Sequence, residues 1–184
     1  FKLYEKLSDL EAENDKLPEL KLDHLHRLTD NFGILHFAKY SKPETRYGYS
    51  LDDNARALLV SAKQYKKDSD PKLEKLIQIY LNFIKFTQRP TGTFANIVSS
   101  QKVKDGTTDE DVQGRAIWAL GFTASNPHLP ENLRNQARKL FTKTTTHLLK
   151  LKSPRAIAFA MTGLYHHLRT EPSVKLLKVF KNLA

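Results

Sequence analysis

Apolar residues recur along this chain at three- and four-residue steps, the spacing of helices with one buried face. The clearest case opens at Asp70-Pro71, an N-cap followed by a first-turn proline, and continues as Leu73, Leu76, Ile77, Tyr80, Leu81 and Ile84. A second stripe runs through Leu133, Ala137, Leu140, Phe141, Thr144, Leu148 and Leu151. A third starts at Ser153-Pro154 and carries Ile157, Ala160, Met161, Leu164 and Leu168. The stretches from Asp53 to about Tyr65 and from Asp111 to about Thr123 differ, being rich in alanine and apolar on more than one face. Such helices are surrounded on most sides, which marks them as inner ones. Strand signal is confined to short pieces such as Phe94 to Val98, so the predicted class is all-α.

Arg-Ala occurs at Arg56-Ala57, Arg115-Ala116 and Arg155-Ala156, each time in the first turns of a predicted inner helix, with an amphipathic helix between successive occurrences. This is a weak repeat of helical hairpins, the pattern of a solenoid or a closed toroid. Connections alternate in length: residues 66–70 and 124–130 are brief, whereas Asn31–Leu51 and Arg89–Asp109 are long. Alternate connections of a hairpin array emerge on one rim, and long loops in a compact domain are usually functional. That rim is the expected site.

Composition then narrows the function classes. A chain of 184 residues suits one domain, divided here into a helical lead-in over residues 1–20 and a hairpin domain over 21–184. Cysteine is absent, which excludes thiolate catalysis, disulfides and cysteine-ligated metals. No apolar run approaches the ~20 residues of a membrane span. The chain starts at Phe1 without a basic-then-apolar segment, and the expected location is cytoplasmic. The formal charge is +10, of which +9 falls between Glu131 and Ala184. A basic third suits nucleic acid or another polyanion, but these cations are interspersed among apolar positions without a ladder of stacking aromatics, which favours a solvated face.

The chemistry-bearing residues cluster where the long loops end. The first loop delivers Tyr49, Asp52, Asp53 and Arg56, and the second delivers Glu110, Asp111, Gln113 and Arg115. Acidic residues at a helix start cap free N–H groups and favour the positive end of the macrodipole, which accounts for either cluster alone. Two such clusters on one rim, after loops rich in Tyr, Gly, His and Asn, fit a carbohydrate cleft, because two facing carboxyl groups cleave a glycosidic bond. Other chemistries fit less well. His24/His26 and His166/His167 are too close for a helical zinc pair, the Asp52-Asp53-Asn54 run lacks the spaced calcium-loop pattern, and no glycine-rich phosphate motif occurs. No metal and no cofactor are expected. Trp118 sits mid-helix among Ile117, Ala119 and Leu120, as a core residue would.

Leu22-Asp23-His24-Leu25, Arg27-Leu28-Thr29-Asp30, Gly33 to Tyr40, Gly48-Tyr49 and Leu51 to Leu58 form one extended motif. Gly92-Thr93-Phe94 with Asn96, Glu110-Asp111, Gly114 to Gly121 and Ser153 to Ala156 form another. Over about residues 20 to 170 the chain resembles the helical domain found in bacteria appended to nucleotide-sugar glycosyltransferases, which is itself similar to the six-hairpin glycosidases. The resemblance implies an α/α toroid with a sugar-binding face and a glycosyltransferase domain as partner. Two departures stand out: Gln113 occupies a position where the pattern has His, and six or seven helices make half a ring or an open arc. If the domain is catalytic, Asp53 and Glu110 are the expected pair, inverting at a separation of roughly 6.5–9.5 Å, with Asp52 and Asp111 as substitutes. His36, Lys39, Tyr49, Arg56, Asn96, Gln113 and Arg115 are the expected substrate contacts, and an oligosaccharide or glycan is the expected ligand. Two alternatives stand beside this: a non-catalytic interaction module of a glycosyltransferase, and a helical scaffold binding a polyanion through its basic third.

Overall fold

The computed structural model describes residues 20–184, so the lead-in expected over residues 1–20 lies, apart from Leu20, outside the described residues. Among the described residues the chain is all-α. Its helices are α1 (Asp23–Leu28), α2 (Leu51–Asp68), α3 (Pro71–Thr87), α4 (Glu110–Ser125), α5 (Glu131–Thr144), α6 (Pro154–Thr170) and α7 (Val174–Leu183). Two-residue strands β1 (Ala38–Lys39), β2 (Lys42–Pro43), β3 (Tyr49–Ser50) and β4 (Ile97–Val98) lie within the two long loops. No helix among the described residues is long and apolar enough to cross a membrane.

Side-chain caps fix where the helices begin. Ser50 Oγ accepts the Asp53 N–H at 3.1 Å, which starts α2 two residues before Asp53. Asp109 accepts from Val112 N–H at 3.1 Å and starts α4 at Glu110. Asp70 accepts from Lys72 N–H at 2.8 Å ahead of Pro71, and the Asp70-Pro71 signal therefore reads correctly. The stripe through Leu148 and Leu151 is interrupted as a helix. Hydroxyls of Thr144 and Thr145 donate to the carbonyls of Phe141 and Thr142, each at 2.8 Å, and α5 ends there. Leu148 returns to the core on a separate 3-10 turn, Leu148–Lys150.

The helices pack in two rows. α2 lies on α3 and α4, α4 on α5 and α6, and α6 on α7, so α2, α4 and α6 make an inner row with α3, α5 and α7 outside it. Between the rows Leu58, Ile77, Tyr80, Leu120, Phe141 and Leu164 are fully buried. The α4–α6 contact is backbone on backbone. A Cβ at Gly121 would stand 2.2 Å from the Gly163 carbonyl oxygen, and one at Gly163 would stand 2.5 Å from that of Ile117. This approach shifts the buried face of α6 to Ala156, Ala160, Gly163, Leu164 and His167, leaving Ile157, Met161 and Leu168 half-buried.

The long loops meet on one rim, as alternation of the connections requires. β3 pairs with β4 antiparallel, Tyr49 opposite Val98 and Ser50 opposite Ile97. Gly48 allows this contact: its φ is +65°, and a Cβ there would lie 2.2 Å from the Val98 carbonyl oxygen. The inner helices also start side by side on this rim. Arg115 Nε reaches Asp52 Oδ1 at 2.7 Å, and Arg155 Nε reaches Asp111 Oδ2 at 2.6 Å, each arginine pairing with the helix one hairpin earlier.

Candidate functional site

Superposing the two motifs on Arg56 and Arg115 puts Asn54 over Gln113, and the structure gives the two amides one task. Asn54 Oδ1 accepts the Ile34 N–H at 3.0 Å while its Nδ2 donates to the Ile34 carbonyl at 3.3 Å. Gln113 Oε1 accepts the Phe94 N–H at 2.8 Å while its Nε2 donates to the Phe94 carbonyl at 3.0 Å. Each amide closes both polar groups of one residue in the preceding long loop, and each is buried. The long loops are therefore anchored from below by their own inner helix. Gln113 was singled out for its place in the motif, but this clamp was not foreseen; the equal spacing of both amides from the Arg-Ala pair was the available signal.

Above these clamps, the first loop brings His36 onto the start of α2. His36 Nδ1 lies 2.7 Å from Asp53 Oδ2, which also accepts the Ser50 hydroxyl at 2.6 Å, and Arg56 Nη2 lies 2.6 Å from Asp53 Oδ1. Burial alone would raise the Asp53 carboxyl; the Ser50 and His36 hydrogen bonds and the Arg56 charge outweigh it and hold the group below the usual range. An ionised carboxylate only accepts, so Nδ1 of His36 carries the hydrogen and Nε2 is left toward solvent, the side chain being 47% exposed. His36 and Asp53 line a shallow hollow of about 260 Å³ whose floor includes Ile34 and Ala57. In the same loop the Phe37 and Tyr47 rings lean together, centroids 4.8 Å apart, each close to half exposed.

The second cluster has a different job. Glu110 Oε2 accepts the backbone N–H groups of Lys152 at 2.8 Å and Ser153 at 2.6 Å, and so caps the entry to α6 from the neighbouring helix. Those two N–H groups, Ser153 first, hold the Glu110 carboxyl below its ordinary range. Asp111 accepts the Ser153 hydroxyl at 2.6 Å as well as pairing with Arg155. Asp52 is shared by Arg56 and Arg115, each at 2.7 Å. Glu110 lines a separate hollow of about 140 Å³, so the structure puts Asp53 and Glu110 on one rim but in different depressions.

The remaining expected contacts scatter. Tyr49 is buried, and its hydroxyl donates to Asp30 at 2.5 Å; burial and that carboxylate raise its pKa strongly. Asn96 contributes its carbonyl, which accepts the Leu51 N–H at 2.8 Å. Lys39 is exposed on the β1–β2 hairpin. Arg115 lies over the Phe159 ring at 4.7 Å, and Trp118 stacks on that same ring at 5.7 Å, half-buried. Among the described residues no group of three or more His, Asp or Glu side chains gathers as metal ligands would. Compared with models of known protein families and with curated proteins, the chain matches none.

Proposed function

We propose that this chain is an open arc of an α/α toroid that binds carbohydrate on its N-terminal rim without cleaving it by the Asp53–Glu110 pair. The two-row packing of hairpins, with inner helix starts aligned, supports the arc. The observation that carries the binding reading is what the first loop exposes: the paired Phe37 and Tyr47 rings, and the His36 imidazole held on Asp53, which Arg56 also reaches. Sugar rings present C–H faces that pack on aromatic rings and hydroxyls that hydrogen-bond to carboxylate, imidazole and guanidinium groups. Hydrolysis by paired carboxylates needs one of them protonated near neutrality. Glu110, held ionised by two backbone N–H groups, is unsuited to that role, and Asp53 is held ionised by three donors. A glycosyltransferase domain remains the partner that the resemblance implies.

A second reading rests on the His36–Asp53 pair. A carboxylate that orients an exposed imidazole is the arrangement of a general base, and such a base could activate water or a sugar hydroxyl. Calorimetric titration of the chain with a panel of oligosaccharides, beside product analysis, separates the readings. Binding is expected to weaken roughly tenfold when Phe37 and Tyr47 are both replaced by Ala, with no product formed. Product that vanishes in His36→Ala establishes the second reading, and absence of any glycan binding refutes both.

A further inference from the structure

The opposite rim, where the inner helices end, carries a hollow of about 620 Å³ that the carbohydrate reading does not use. Its volume falls in the range of small-molecule sites. Lys63 and Lys66 reach it from the last turns of α2, Arg169 and His166 from those of α6, His128 from the α4–α5 connection, and Phe122 from α4. Among the described residues no carboxylate lines it, and Lys63, Lys66 and Arg169 form no ion pair. Lys63 Nζ instead stands 5.7 Å from the Trp118 ring centre and 5.8 Å from that of Phe122. His166 meets the Phe122 ring edge to face at 5.1 Å.

We infer that this hollow binds a small organic phosphate, its phosphate groups held by Lys63, Lys66 and Arg169 and its ring lying against Phe122 and His166. Cations at helix C-termini complement the macrodipole, which accounts for each of them singly. It does not account for three of them around one open hollow with aromatic walls and, among the described residues, without a counter-charge. A phosphate supplies that charge in the geometry a guanidinium fork matches. Burial and the charges of Arg169 and Lys63 hold the His166 imidazole below its ordinary range, so it is neutral in the empty hollow. An incoming dianion favours the protonated imidazole, so phosphate binding is coupled to proton uptake by His166. The groups facing His166 are Lys63 and Lys66 on α2, Arg169 and Tyr165 on its own helix, and His128 on the connection.

The test is calorimetric titration of the whole chain, without divalent metal, using inorganic pyrophosphate, a hexose 1-phosphate and a nucleoside diphosphate. Binding by a ring-bearing probe is expected to exceed that of inorganic pyrophosphate, and the better of the two probes identifies the ring. Arg169→Ala and Lys66→Ala, both at exposed positions, should each weaken it roughly tenfold, with at most a small drop in melting temperature and with rim oligosaccharide binding unchanged. The proposal is overturned if no probe binds at about 1 mM, if the substitutions leave affinity intact, or if only a long polyanion binds. It is equally overturned if the substitutions change the melting temperature alone, the result for cations that serve only the helix ends.

Discussion

Asn54 and Gln113 are the residues whose loss should be felt most per atom. Each replaces the water contacts of the N–H and the carbonyl of one buried residue, and an unsatisfied buried group costs about 1–3 kcal/mol. Asn54→Ala, which strands the N–H and carbonyl of Ile34, is expected to lower stability by about 3 kcal/mol in urea unfolding, with little change in m-value. The acidic rim should show its effect in the pH profile. The folded-state pKa values of Asp53 and Glu110 are depressed, so their contribution is complete above the ordinary carboxylate range and is lost as pH falls through the folded values. His167 is also depressed, chiefly by burial, and its contribution is lost earlier, as pH falls below about 6.5. A melting profile should therefore fall in two steps on acidification, and Asp53→Asn should blunt only the lower one.

At the scale of elements, the α4–α6 seam is the tightest contact and has no spare volume. Gly121→Ala puts a methyl carbon onto the Gly163 carbonyl, a backbone atom that cannot rotate away, and should cost about 3 kcal/mol by thermal unfolding. Helix positions were legible because cap and stripe agree: Asp70-Pro71 leads directly into the face of α3 that is buried. Boundaries shifted where the cap is a residue read as loop, as with Ser50 and Asp109, because an N-cap is not itself helical. The end of α5 was hidden because Leu148 and Leu151 keep helical spacing while the threonine hydroxyls compete for the carbonyls before them. The face of α6 was misjudged for a related reason. Hydrophobicity points to Ile157 and Met161, whereas burial follows the small residues that let two backbones touch.

For the whole molecule, the alternation of short and long connections correctly put both loops on one rim, since it depends only on hairpin geometry. What each carboxylate does there was not legible. Glu110 acts on Lys152 and Ser153 more than forty residues away, a partner fixed by the docking of α6 rather than by any local spacing. The two ends of the inner helices therefore differ: at the N-terminal rim acidic side chains are satisfied by neighbouring helices, and at the C-terminal rim cations surround an open hollow. On the proposed reading, the carboxylates of the N-terminal rim hold the hairpins together, and sugar binds there without Glu110 serving as a proton donor. The most direct test of this reading is Glu110→Ala, with thermal unfolding, oligosaccharide titration and product analysis made on one preparation. A lower melting temperature, unchanged sugar affinity and no product from either protein are expected. A wild type that releases product, with turnover abolished by the substitution and the melting temperature unmoved, would contradict this reading.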